Sequence, residues 1–322
     1  MLDDPVLVND WHIVARSSDI LDGQVKAASL LGEDLALWRA DGQLMAWKDL
    51  CVHRGARLSG GAVSAERLSC PYHGWEYEPS GQCVRFPAHP EQVPPPKAHA
   101  LPYRVQEAYG LVWVCLGQPA QAIPAFPEWQ DATFRKVFCG PYTLKASGPR
   151  AIENFLDVSH FPFVHGGLLG DAARPEVDDY EAEINAEGVI ARDVRIFQPD
   201  PDASGQGGLV TYTYQVLRPL AAYFTKTSAG PRFAAFFAIT PLEEKLSLGW
   251  LLLALNYRDE ASDAELSGFE DAIMAQDIPV VESQRPELLP LDLQAELHLR
   301  SDRLAIAYRQ YLKKCGLRLG TA

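Results

Sequence analysis

The chain has 322 residues, 47% of them hydrophobic and 22% charged, a balance that excludes large-scale disorder and leaves room for two ordinary domains. Its formal net charge of -13 argues against gripping nucleic acid or an anionic membrane over a broad face, because both partners would be repelled. The start, Met1-Leu2-Asp3-Asp4-Pro5, lacks the basic and apolar regions of a signal peptide, and the most apolar later run, Leu246–Leu255, is too short to span a bilayer. The expectation is a cytoplasmic protein with no membrane partner, in which six cysteines point to metal ligation before disulfides.

Residues 11–47 alternate short runs rich in Val, Ile, Leu and Trp with turn signals at Asp22-Gly23, Gly32-Glu33-Asp34 and Asp41-Gly42. That is the punctuation of a small antiparallel β domain. Cys51-Val52-His53 follows, and sixteen residues later comes Cys70-Pro71-Tyr72-His73. Each half offers one thiolate and one imidazole. A binuclear iron–sulfur cluster could hold one iron by Cys51 and Cys70 and the other by His53 and His73, and the neutral imidazoles would raise its reduction potential. A structural Cys2His2 zinc site is the competing reading, although zinc modules more often open with Cys-x-x-Cys. Gly55, Gly60, Gly61 and Gly74 let backbone amides approach the sulfurs. Arg54, Arg57, Tyr72 and Trp75 fall near the rim, a face where an electron donor could dock. Six prolines make residues 87–102 an extended surface segment. Residues 105–108 and 111–115 read as a hairpin across Tyr109-Gly110. An irregular stretch, residues 118–129, closes the first domain, which gives domains 1–130 and 131–322. Cys83, Cys115, Cys139 and Cys315 lie at no spacing that suggests ligation.

In the second domain, residues 142–146 read as a strand and Gly148-Pro149 opens a helix. Asn154, Asp157 and His160 follow at spacings of three, winding along one side of that helix. Pro162 should end it and return His165 to the same cavity. Two imidazoles with a carboxylate suit a divalent metal, against the blander reading of satisfied core histidines. A facial set of two histidines and one carboxylate leaves positions open on iron(II), as oxygen activation requires. The carboxylate is either Asp157 or the distant Asp277, with Glu270, Asp271 and Glu282 as rivals, and Asp277 could equally sit on the solvated face of a helix. Pro279 should kink that helix. Between these segments, aromatic-rich runs at residues 180–185, 189–197, 209–217, 232–240 and 245–256 read as an antiparallel sheet covered by helices on one face. Residues 202–208 read as a flexible loop and residues 292–314 as a final amphipathic helix.

The segments Cys51-Val-His-Arg-Gly-Ala-Arg-Leu-Ser and Cys70-Pro-Tyr-His-Gly-Trp-Glu-Tyr closely resemble the two cluster-binding loops of Rieske proteins. Followed by Asn154-x-x-Asp157-x-x-His160-x-x-x-x-His165, they resemble the catalytic subunit of Rieske non-haem iron oxygenases over nearly the whole chain. The resemblance implies an α+β fold, with an N-terminal all-β Rieske domain and a C-terminal helix-grip catalytic domain built on an antiparallel sheet. It implies a [2Fe-2S] cluster on Cys51, His53, Cys70 and His73, and mononuclear Fe(II) on His160, His165 and Asp277. Asp157 then becomes the carboxylate that bridges to the cluster of a neighbouring subunit, with Asn154 beside the iron. No flavin- or nicotinamide-binding glycine motif occurs, so electrons must come from a separate reductase or ferredoxin.

The compact length and the Asn154–Asp157 spacing resemble the homotrimeric branch that includes vanillate and dicamba O-demethylases. That branch implies O2-dependent hydroxylation or oxidative demethylation of a small aromatic or heterocyclic substrate, rather than the cis-dihydroxylation of the longer ring dioxygenases. A reading from another class, a Rieske electron carrier with an appended binding domain, leaves Asp157, His160 and His165 without work.

Overall fold

Short runs with inward apolar residues make the first half of the chain all-β. The computed structural model describes residues 2–228, 232–258 and 260–322, and the chain parts into two units, Met1–Ile123 and Pro124–Ala322. In the first, a short helix α1 (Pro5–Val8) precedes ten strands: β1 (His12–Arg16), β2 (Val25–Leu30), β3 (Glu33–Ala40), β4 (Gln43–Lys48), β5 (Ala62–Ser64), β6 (Arg67–Ser69), β7 (Glu76–Tyr77), β8 (Cys83–Arg85), β9 (Pro102–Ala108) and β10 (Leu111–Cys115). They form a six-stranded antiparallel sheet in the order β1-β10-β9-β4-β3-β2 and a four-stranded sheet β5-β6-β7-β8. The β9–β10 turn places Tyr109 and Gly110 at φ 58° and 72°, the left-handed pair that a two-residue hairpin needs. Trp38, Trp47, Leu58, Leu68 and Tyr77 are buried in one cluster with Cys51 and Cys70, so the core itself seats both cysteine loops.

The second unit holds a seven-stranded antiparallel sheet in the order β11-β17-β16-β15-β14-β13-β12. Its strands are β11 (Arg135–Leu144), β12 (Glu181–Asn185), β13 (Gly188–Gln198), β14 (Gly208–Arg218), β15 (Ala221–Thr227), β16 (Arg232–Glu243) and β17 (Leu246–Leu255). Its α-helices among the described residues are α2 (Pro127–Gln130), α3 (Gly148–Leu156), α4 (Phe161–Val164), α5 (Asp263–Ser283) and α6 (Arg303–Cys315). Helix α3 packs on β15, β16 and β17, α5 on β11, and α6 on β12 and β13. This is the expected α+β architecture.

Four local expectations change. Residues 124–130, placed with the first domain from the sequence, sit with the second, where Phe126 stacks on Phe236 with ring centroids 5.6 Å apart. Strand β15, absent from the expected runs, pairs with β14 on one side and β16 on the other; its two leading alanines follow Pro219-Leu220 and hide the alternation. Helix α3 stops at Leu156 rather than at Pro162, because Asp157 turns to extended backbone (φ -94°, ψ 130°) and its Oδ1 accepts from both the backbone N–H and the hydroxyl of Ser159, at 2.8 and 2.6 Å. Pro162 instead lies in the first turn of α4. The last helix starts at Arg303, not at residue 292, since the Asp302 carboxylate accepts from the Leu299 N–H at 2.7 Å and fixes a 3-10 turn there. Helix α5 itself runs unbroken through Pro279.

A buried charge network ties α3 to α6. Arg309 donates to both oxygens of Glu153 at 2.6 and 2.8 Å and to Glu296 at 2.5 Å, while Arg150 donates to the other oxygen of Glu296 at 2.8 Å. Arg309, Arg150 and Glu153 are all buried.

Candidate metal centres

The two cysteine loops of the first unit are built alike. In each, the cysteine carbonyl accepts from a glycine N–H four residues on, Gly55 to Cys51 at 2.9 Å and Gly74 to Cys70 at 3.0 Å. Each cysteine N–H in turn donates to the carbonyl five residues on, Ala56 at 2.8 Å and Trp75 at 2.9 Å. Gly55 and Gly74 adopt φ 72° and 66°, a conformation that costs a Cβ-bearing residue about 1 kcal/mol. These tight loops bring His53 and His73 together, ring centroids 4.5 Å apart. Trp75 stacks on His53 at 4.3 Å and Tyr77 Oη lies 3.2 Å from Cys51 Sγ. Tyr72 is exposed, whereas Arg57 is engaged with Asp34 at 2.7 Å.

In the second unit, the end of α3, the C-terminus of α4 and the middle of α5 converge. His160 Nε2 lies 3.2 Å from His165 Nε2 and 3.3 Å from Asp277 Oδ1, and His165 Nε2 lies 3.0 Å from the same oxygen. The opposite nitrogens face acceptors: His160 Nδ1 donates to Asp157 Oδ2 at 3.2 Å, and His165 Nδ1 donates to Gln276 Oε1 at 2.7 Å. With both Nδ1 atoms carrying hydrogen, both Nε2 lone pairs point at one spot beside a carboxylate oxygen. Asn154 Nδ2 donates to Asp277 Oδ1 at 3.5 Å.

Burial alone would depress His160, but Asp157 and Asp277 outweigh it and raise its pKa to about 9. Burial works against the ionised form of Asp277, yet the two histidines hold it below the usual carboxylate range; Asp157 is held low in the same way by His160 and Ser159.

The rival acids have other places. Asp271 accepts from Tyr142 Oη at 2.6 Å, Glu282 accepts from the Lys145 N–H at 2.8 Å, and Glu270 lines a cavity outside the triad. That cavity measures about 370 Å³ and opens onto His160, His165 and Asp277. Its walls are largely apolar, aliphatic side chains alternating with aromatic ones: Phe155 from α3 stacks on Phe224 and Phe237 at 5.3 and 5.1 Å.

Residues 10–105 match the Rieske [2Fe-2S] domain, and residues 144–318 match the vanillate O-demethylase oxygenase C-terminal domain. The methylxanthine N1-demethylase NdmA of Pseudomonas putida is 32% identical over 94% of this chain and 88% of its own. The chain belongs to the Rieske non-haem iron oxygenases. The solved structure of that NdmA with caffeine superposes with a TM-score of 0.84 at 30% identity, covering 96% of this chain and 90% of the other. The oxygenase component of dicamba O-demethylase from Stenotrophomonas maltophilia is 33% identical over 49% of this chain and 47% of its own.

The residues of this Rieske oxygenase suit both metal groups of the family. His53 Nδ1 is buried and has no hydrogen-bond partner among the described residues, a cost that a ligated atom would not carry. At the second centre, two imidazole nitrogens and one carboxylate oxygen within 3.3 Å of one another are a donor set that suits a divalent ion once His160 gives up its proton. Among the described residues, no helix is long and apolar enough to cross a membrane.

The sequence did not point to Gln276, Ser159, Gln198 or Lys226. Gln276 could have been found beside Asp277. Lys226 gave no such signal, because its register beside Tyr212 and Phe233 appears only once β15 is paired.

Proposed function

We propose that His160, His165 and Asp277 hold a mononuclear Fe(II) and that Cys51, His53, Cys70 and His73 hold the [2Fe-2S] cluster, in an enzyme that hydroxylates or oxidatively removes a methyl group from a small aromatic or heterocyclic ring. When bound, the cluster supplies single electrons and the iron supplies dioxygen activation. The protein's own residues do the rest. Asp157 and Gln276 fix the tautomer and orientation of the two histidines. Phe155, Phe224 and Phe237 offer ring faces to a planar substrate and keep water from it. Asp157 also serves as the contact to the cluster of a neighbouring subunit in a homotrimer, and Asn154 steadies Asp277.

Hydroxylation of a methyl carbon bonded to nitrogen or oxygen consumes one O2, two electrons and two protons, and yields water and a carbinol that releases formaldehyde. The demethylase names of the relatives and the word "component" in one of them support this reading and a separate electron donor. The observation that carries it is the convergence of two Nε2 atoms and one carboxylate oxygen, within 3.0 to 3.3 Å, at the wall of an aromatic cavity. Oxygen uptake by the iron-loaded protein with a surrogate reductase, across methoxyarenes, N-methyl heterocycles and unsubstituted arenes, tests it. Formaldehyde or a monohydroxylated product supports the proposal; cis-diols, or no substrate-dependent uptake, would sink it.

A further inference from the structure

The aromatic cavity has one charged end. Lys226 projects into it from β15 and Glu270 from α5. Lys226 Nζ donates to Gln198 Oε1 at 3.3 Å and to the Pro201 carbonyl at 3.1 Å, which occupies two of its three hydrogens. Gln198 is itself locked, since its amide nitrogen donates to Tyr212 Oη at 2.9 Å. Glu270 is different. No hydrogen bond and no ion pair within 4.0 Å reaches its carboxylate among the described residues. Its carboxylate is half-buried at the cavity wall, open to water or to a ligand group that donates. Burial raises Glu270 to about 7 and lowers Lys226 to about 8, and the attraction between the two groups works against both shifts.

The spacing along α5 sets the scale. Glu270 and Asp277 lie seven residues apart on the helix face that also presents Leu266, Ile273 and Met274 to the cavity. Seven residues of helix rise about 10.5 Å, the length of a fused bicyclic ring with its substituents. Two acids, Glu270 and Asp200, and two cations, Lys226 and Arg258, line the same cavity, so a ligand of either charge would meet groups of its own sign. A neutral ring with an acceptor beside a donor satisfies both groups.

We propose that Lys226 and Glu270 read the edge of a neutral cyclic amide, Lys226 donating to its carbonyl oxygen and Glu270 accepting from the adjacent ring N–H, while the opposite end of the ring lies toward His160, His165 and Asp277. The pair is a specificity device that no family match assigns, and it rests on the reading of the triad as the reacting end.

The test is equilibrium binding to the anaerobic, iron-loaded holoenzyme without reductant. Theobromine has a ring N–H between two carbonyls; caffeine has the same ring with a methyl there. The wild-type protein should bind theobromine at least about tenfold more tightly than caffeine, as a site built to accept from N–H discriminates. Glu270→Met should bring the ratio to about one while caffeine binding persists, and Lys226→Met should weaken both ligands by about tenfold. If Glu270→Met does not fold, Glu270→Gln keeps an uncharged acceptor and should give an intermediate ratio. Equal binding by the wild type, an undiminished ratio in the Glu270 variants, tighter binding of para-methoxybenzoate, or no binding of any probe would overturn the proposal. Formaldehyde release from para-methoxybenzoate would in that case leave the oxygenase reading standing. Selective theobromine binding without oxygen uptake on any substrate would do the reverse.

Discussion

At the triad, each histidine is committed twice, by a hydrogen bond at Nδ1 and by a lone pair at Nε2. Asp277→Ala or His160→Ala should therefore lower iron from about three to about two per chain while the visible spectrum of the cluster remains, as iron analysis of the purified variant will report. A proton competes for the same nitrogen. In the metal-free chain His160 holds its proton up to about pH 9, and that proton must leave before the nitrogen can ligate. Apparent affinity for a divalent ion should thus rise with pH by up to tenfold per unit between about 6.5 and 9 and flatten above, in a Co(II) titration. The proposed ligands stood out in the sequence because most arrive in short clusters: Cys51 with His53, Cys70 with His73, His160 with His165. Asp277 stood out only by resemblance. Gln198, Lys226 and Glu270 come from three separate elements, β13, β15 and α5, so nothing local marks them as neighbours.

Helix α3 leads into the His160–His165–Asp277 triad, and its anchoring is electrostatic as well as apolar. Arg309→Met would strip Glu153 of both its hydrogen bonds to a cation and leave it only the longer contact to Arg150 at 3.6 Å, a loss of about 3 kcal/mol that a denaturant midpoint would read; adding Glu153→Gln should restore part of it. In the sheet, Gly188 sits at φ 136°, and a Cβ there would lie 1.9 Å from the Val216 carbonyl oxygen. Gly188→Ala should disturb the β13–β14 pairing and cost roughly 2 kcal/mol or more, measurable as a lowered melting temperature. Strands with clear alternation, such as β14 with Val210, Tyr212, Tyr214 and Val216 buried, were visible in the sequence. The ends of α3 and α6 were not, because single carboxylates, Asp157 and Asp302, set those boundaries by hydrogen bonds that no periodicity records.

Across the whole chain, the two proposed centres rest on separate cores, the cysteine loops on a small β unit and the His160–His165–Asp277 triad between helices and a larger sheet. Asp157 touches the triad without belonging to it. If it also contacts a neighbouring cluster, Asp157→Asn should keep both metals yet slow reoxidation of the reduced cluster by tenfold or more in stopped-flow measurements; unchanged electron transfer would remove that role. Composition suggested two domains because the proline-rich stretches and the change from cysteine to histidine chemistry fall in different halves. Helix α5 carries a consequence of its own. Because Glu270 and Asp277 share one rigid rod, the gap between the recognised edge and the oxidised carbon is set by helical pitch and not by a closing loop. The helix is a ruler. Sliding the acid by one turn, four residues, would move the oxidised position by about 6 Å with the iron ligands untouched, so regiochemistry in such enzymes can drift by relocating one side chain along one helix face.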